Sequence, residues 1–239
     1  MHRSGTFLVA GVLALAVAGC SQPSAPTPAQ KAAADKAKTQ AALQKKLDLF
    51  HKLMAMHNPD LAIPIGEDIV KNFPDSKAAK KLSKTLPEMK AKAHAASEKR
   101  RLTGLWLYQV GPMAGGTQST ATIKPSKPKQ TQVRLTLRRQ TDWGVSTFLY
   151  DNAKGKNAGF VCHKLCDIVM HFDGKKHVYE GYLPKGGEPA MFIKDHDSFL
   201  KRLAKADKIT MLVAVKGQGK QTFVFETGGF NPDKWQTLP

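Results

Sequence analysis

The apolar positions along this chain change period twice. A continuous apolar run covers Phe7 to Val17; apolar residues then recur every three or four positions from Leu43 to Met89; from Leu105 onward they alternate with polar ones. A spacing of three and four puts one stripe on a helix, whereas a period of two puts one face of a strand against a core. The pattern therefore predicts an α+β protein: an N-terminal helical hairpin or three-helix arm, then an antiparallel β-sandwich or partly open barrel with one inserted helix.

In the helical part, Leu43, Leu47, Phe50 and Met54 share a stripe on a helix over 32–56. Asn58 can cap the next helix with Pro59 at its first position. That helix would carry Ala62, Ile65, Ile69 and Phe73, with Pro64 kinking it or delaying its start. Phe73-Pro74-Asp75-Ser76 separates it from a third, in which Ala79, Leu82, Leu86 and Met89 keep the spacing; Pro87 bends this helix without ending it, and Ala and Lys continue to Arg101. Strands are expected at 105–110, 119–123, 132–138, 145–150, 159–162, 167–172, 178–182, 190–193, 209–215 and 222–226, divided by Gly, Pro, Asn and Asp. Asp197 or Ser198 would cap the inserted helix, whose apolar side is Phe199, Leu200, Leu203 and Ala206.

The first run is a different kind of segment. His2 and Arg3 precede it, and the small residues Ala18 and Gly19 follow, just ahead of Cys20. That order predicts a cleaved secretory leader over 1–19. Val17-Ala18-Gly19-Cys20 resembles the bacterial lipobox, which implies diacylglycerol on the Cys20 thiol, palmitate-type acylation, and a membrane partner reached through the lipid. Ser21 in place of Asp implies an outer-membrane destination facing the periplasm rather than the inner membrane. The expected organisation is thus a leader at 1–19, lipidated Cys20 with a Pro/Ser-rich tether through Gln30, a helical region at 31–102 and a β-domain at 103–239.

The 239 residues carry a formal charge of +18, and removing the leader takes away only Arg3. Such a surplus opposes self-association and attracts polyanions. Residues 21–103 hold 16 basic and 8 acidic side chains, and 104–239 hold 20 and 11. With no concentrated basic arm, this layout favours a generally basic surface over a nucleic-acid site.

Candidate chemistry is sparse. On 132–138, Val133, Leu135 and Leu137 alternate with Arg134, Thr136 and Arg138, so one face is buried and the other charged. Arg134, Arg138 and the adjoining Arg139 are the candidate anion-binding residues; the competing reading is a charged face that guards a sheet against edge pairing. Cys162 and Cys166 stand four apart and, with Cys20 lipidated, form an even pair, so a disulfide is favoured in an exported chain. A metal site drawing on Cys162, Cys166, His163, His171 and His177 is the alternative, but no second Cys pair or His-x-x-x-His spacing supports it. Redox catalysis is weaker still, because three residues rather than two separate the cysteines.

The nucleophile-elbow, phosphate-loop and zinc-helix motifs are missing, so no catalytic residue, metal or cofactor is assigned and an enzyme is not expected. Asp195-His196-Asp197 beside Ser198 does not make a triad, since adjacent residues point different ways, and Asp197-Ser198 reads as a helix cap. Trp106, Tyr108, Trp143, Tyr150, Tyr179 and Tyr182 are core residues first and a sugar-stacking surface second.

Two further resemblances bear on function. Residues 43–89, about a fifth of the chain, resemble one and a half tetratricopeptide-type units, notably in AIPIGEDIVKNFPDSKAAKKL. The stretch from Cys166 to Phe230, about a quarter of it, includes HFDGKKHVYEGYL and MFIKDHDSFLKRLAKADKITMLVAVKGQGKQTFVFETGGF. It is similar to exported β-domains of the invasion-associated locus B type and to type VI secretion-associated accessory proteins. That resemblance implies a helix through Phe199, Leu203 and Ala206, a last strand through Phe225, Gly229 and Phe230, and a binding role without a catalytic site.

The favoured function is a non-enzymatic, lipid-anchored envelope protein that contacts a protein partner or an anionic envelope polymer. A periplasmic inhibitor or immunity lipoprotein, using loops 125–130 or 184–188, is the alternative. A metal-binding or redox protein based on Cys162 and Cys166 is the second.

Overall fold

The computed structural model describes residues 27–113, 115–155, 157–235 and 238. The leader, Cys20 and tether residues 21–26 lie outside the described residues. The chain divides into two compact units, one ending at Leu86 and one beginning at Pro87.

The first unit holds α1 (Pro28–Ala55), α2 (Pro59–Asn72) and the start of α3 (Lys77–Gly104). Composition extends the tether to Gln30, but α1 begins at Pro28. Thr27 and Gln30 form a reciprocal capping box there: Thr27 Oγ1 accepts the Gln30 N–H, and Gln30 Oε1 accepts the Thr27 N–H at 2.9 Å. This pair satisfies two amide donors that a helix start otherwise leaves open.

Pro64 does not delay α2. Asn58 Oδ1 caps the helix by accepting the Leu61 N–H, and Pro64 sits inside it. The buried side of α2 is Ala62, Ile63, Gly66 and Ile69 rather than the expected line through Ile65 and Phe73. Gly66 sets the packing distance, since a β-carbon there would stand 2.9 Å from Leu86 Cδ2 and 3.1 Å from Phe50 Cε2.

The second unit is built on one antiparallel sheet. Its strands are β1 (Trp106–Met113), β2 (Gly116–Ile123), β3 (Val133–Gln140), β4 (Gly144–Asp151), β5 (Cys166–Phe172), β6 (Lys175–Tyr182), β7 (Ala190–Ile193), β8 (Lys208–Val215) and β9 (Gly219–Glu226). They lie in the order β1-β2-β3-β4-β7-β6-β5-β8-β9. The strands do not close on each other, but β9 has company on its free side. The Ser126 N–H donates to the Val224 carbonyl at 2.7 Å, and the Val224 N–H donates to the Lys127 carbonyl at 2.9 Å. The segment leaving β2 thus satisfies groups that an edge strand would otherwise expose. Loop 125–130 is in part strapped to the sheet rather than protruding.

Two other expectations are corrected. Residues 159–162 form no strand; Phe160 makes an isolated bridge to Val215 and is buried. The Gly159 amide there is bound by Asp151 Oδ2 at 2.8 Å, so a buried carboxylate rather than a ladder fixes the segment. The last strand also stops at Glu226, short of Gly229 and Phe230.

Alternation sends Ile123, Leu135, Leu149, Met191, Ile168, Met170, Ile209, Met211, Phe223 and Phe225 into one core. The helix α4 (His196–Leu203) covers part of that core with Phe199 and Leu203. Its cap is Asp195, whose Oδ1 accepts the Ser198 N–H at 3.1 Å, not Asp197 or Ser198. The side chains of Phe199 and Leu203 are fully covered, each burial being worth about 1.5–3 kcal/mol.

Candidate functional site

Adjacent strands set residues directly opposite one another on the same face. The register therefore draws a row across the face turned away from the core: Leu107 pairs with Thr122, Thr122 with Thr136, Thr136 with Phe148, Phe148 with Phe192, and Phe192 with Tyr182. The aromatic half of this row is continuous. Phe148 and Phe192 lie 4.8 Å apart between ring centres, and Tyr182 stacks on Phe192 at 5.4 Å with 21° between planes.

Arg138 belongs to the neighbouring row and leans across this aromatic half. Its guanidinium carbon stands 5.1 Å from the Phe148 ring, 5.8 Å from Phe192 and 5.4 Å from Trp143 in the β3–β4 turn. Each such contact attracts a cation to the negative face of the ring and holds it in place. Nε donates to Ser146 Oγ at 3.1 Å. Burial lowers the Arg138 pKa from its ordinary value, while Tyr182 and Glu188 pull it the other way. An arginine stays charged under such a pull. Among the described residues no carboxylate makes an ion pair with it. Trp143 is 55% exposed and Tyr182 38%, so two of the surrounding aromatic residues are open to a ligand.

The three candidate arginines are not one cluster. Arg134 shares the Arg138 face and stands opposite Tyr150, but Arg139 points to the other side of β3. There its guanidinium lies 4.1 Å over the Trp235 ring and donates to the Trp235 carbonyl at 2.9 Å. Trp235 in turn donates from Nε1 to the Ser119 carbonyl, so Arg139 helps to hold the C-terminal segment.

Cys162 and Cys166 form a disulfide with their Cα atoms 5.6 Å apart. Cys162 lies in the loop before β5 and Cys166 is the first residue of that strand. His171 and His177 sit on neighbouring strands, where Met170, not His171, is the residue opposite His177, so the two rings face opposite sides of the sheet. Among the described residues no three His, Cys, Asp or Glu side chains are grouped to hold a metal ion.

A second recess, of about 570 Å³, lies beside α4 and is lined by Lys175, His177, Asp195, Ser198 and Arg202, among others. Ser198 and Arg202 there are both engaged by Tyr179 next to the recess. The Ser198 and Tyr179 hydroxyls are 3.3 Å apart, and Arg202 Nε donates to the Tyr179 oxygen at 3.1 Å. His196 faces Asp197 rather than Ser198.

Of the aromatic residues singled out in the sequence, Trp106 and Tyr179 are buried, whereas Trp143 and Tyr182 are exposed. Phe148 and Phe192 were missed. The signal for Phe148 was present, since it falls two positions from both Ser146 and Tyr150 and so shares their face. Phe192 could be placed only through the β4–β7 pairing, which joins strands distant in sequence.

No family model matches this chain, and no curated protein matches it. Among solved structures it is similar to that of invasion associated protein B from Bartonella henselae. The identity is 16%, the TM-score 0.35, and the match covers 52% of this chain and 84% of that one. A likeness of that size says nothing about a site.

Proposed function

We propose that this chain is a lipid-anchored protein of the bacterial cell envelope, tethered through Cys20, that binds a partner through the outer face of β3, β4, β7 and β6 and catalyses no reaction. The observation that carries this reading is Arg138, a half-buried cation held over three aromatic rings with no carboxylate at ion-pair distance among the described residues, Glu188 acting on it only from farther off. A charge in that setting is favoured by an anion from outside, and a guanidinium edge donates two parallel hydrogen bonds to a carboxylate or phosphate. The formal charge of +18 draws anionic envelope material toward it. Acyl chains on Cys20 would keep the face at the membrane surface, since each buried methylene contributes about 0.8 kcal/mol.

Capture from crosslinked envelopes of the host tests both halves of the reading. The native chain is expected to fractionate with membranes and to retain envelope material. A Cys20→Ala form should leave the membrane fraction, and an Arg138→Ala form should stay there but retain less. Equal retention by Arg138→Ala and the native chain contradicts the binding face; membrane association that survives Cys20→Ala contradicts the anchor.

A further inference from the structure

We propose that the ligand of this face is a carboxylate-bearing glycan: Arg138 pairs with the carboxylate while Trp143 and Tyr182 stack on the sugar rings. The inference rests on the binding face proposed above and narrows it to one ligand chemistry.

Three features of the face favour a glycan over a peptide. First, the backbone under the aromatic row is already paired: β4 is joined to β7 over Phe148–Tyr150, and β7 to β6 at Gly181 and Tyr182. A peptide that adds as an extra strand gains its affinity from edge amides and carbonyls, which are occupied beneath this row. Recognition at the row therefore comes from side chains.

Second, the exposed rings are placed around the charge. Arg138 lies against both Trp143 and Phe192, and Tyr182 stacks on Phe192. An aromatic face is electron-rich and attracts the positively polarised C–H bonds on the flat side of a sugar ring. From β3 to β6 the row crosses three strand spacings, about 14 Å, which leaves room for a chain of rings rather than a single small anion.

Third, hydroxyls line the approach. Thr120 and Thr122 on β2, and Ser146 on β4, share the Arg138 face. The two threonines hold only long hydrogen bonds of 3.5 Å within the sheet, to the Gln109 carbonyl and to Thr136. Weakly held hydroxyls are free to exchange those bonds for sugar hydroxyls.

Calorimetric titration of the full chain tests this with three matched probes. A galacturonate hexamer carries rings and carboxylates, its methyl ester keeps the rings without the charge, and hexaglutamate keeps the charge without the rings. The hexamer is expected to bind at least about tenfold more tightly than either control, a difference of about 1.4 kcal/mol. Arg138→Lys, which keeps the charge but loses the planar fork, and Trp143→Ala, at an exposed position, should each weaken it by a similar factor.

Equal affinity for hexaglutamate, or indifference to both substitutions, overturns the glycan. Envelope retention that still depends on Arg138 while the hexamer fails to bind would also overturn the glycan but leave the binding face standing. Retention that ignores Arg138 removes both.

Discussion

At the scale of single residues, close approach leaves the clearest marks. Gly229 sits against the chain where α3 ends, and a β-carbon added there would land on the backbone of Leu102 and Thr103. Backbone cannot rotate aside as a side-chain tip can. Gly229→Ala should therefore lower unfolding stability by at least about 2 kcal/mol, measured by urea denaturation. The sequence reading assigned Gly229 to a last strand, and the structure gives the glycine a different reason to be there.

Arg139 illustrates the same limit. Reading β3 as a string groups it with Arg138, but a period of two sends neighbouring side chains to opposite faces, and only one of the pair remains available to a ligand. Arg139→Ala should accordingly reduce thermal stability through the lost Trp235 contacts and leave binding at the Arg138 face unchanged, as a titration would read.

At the scale of elements, local rules made most of the fold legible and long-range pairing made the rest illegible. The helices of the first unit followed from three-and-four spacing, and Asn58 with Pro59 marked the start of α2 correctly. The start of α1 was misplaced because Thr27-Pro28-x-Gln30 is a capping box hidden in a Pro- and Ala-rich stretch. The helix α4 is expected from the sequence, but its cap is Asp195, two residues before Asp197 and three before Ser198. Asp195→Ala should cost about 1 kcal/mol of stability by removing the acceptor for the Ser198 N–H.

The strands of the second unit were visible as alternation, with 159–162 the exception. No local pattern indicates that β4 pairs with β7, or that the segment after β2 flanks β9, and the aromatic row depends on the first of these. The disulfide closes a short loop at the start of β5. Replacing both cysteines by serine should lower stability by about 2 kcal/mol, with little change in the denaturant slope.

At the scale of the whole molecule, charge and layout set the expected behaviour. A chain with a formal charge of +18 meets a polyanion at long range before any side chain fits. Binding through that general field fades as salt shortens the screening length from about 10 Å at 0.1 M to about 3 Å at 1 M. Contacts made by a half-buried guanidinium and stacked rings fade less. The galacturonate hexamer should lose affinity with rising salt more gradually than hexaglutamate does, and parallel slopes in a salt titration would mean that charge alone is at work.

The Arg138 face, and not the diffuse positive charge, is proposed to hold the ligand. The most direct test is sedimentation of the Cys20→Ala chain with washed envelope fragments at 0.15 M salt, comparing it with the same chain carrying Arg138→Ala and Trp143→Ala. That pair changes one of the chain's 37 basic residues and keeps the general field almost intact. The bound fraction should collapse; binding undiminished by the two substitutions would show that the Arg138 face does not hold the ligand.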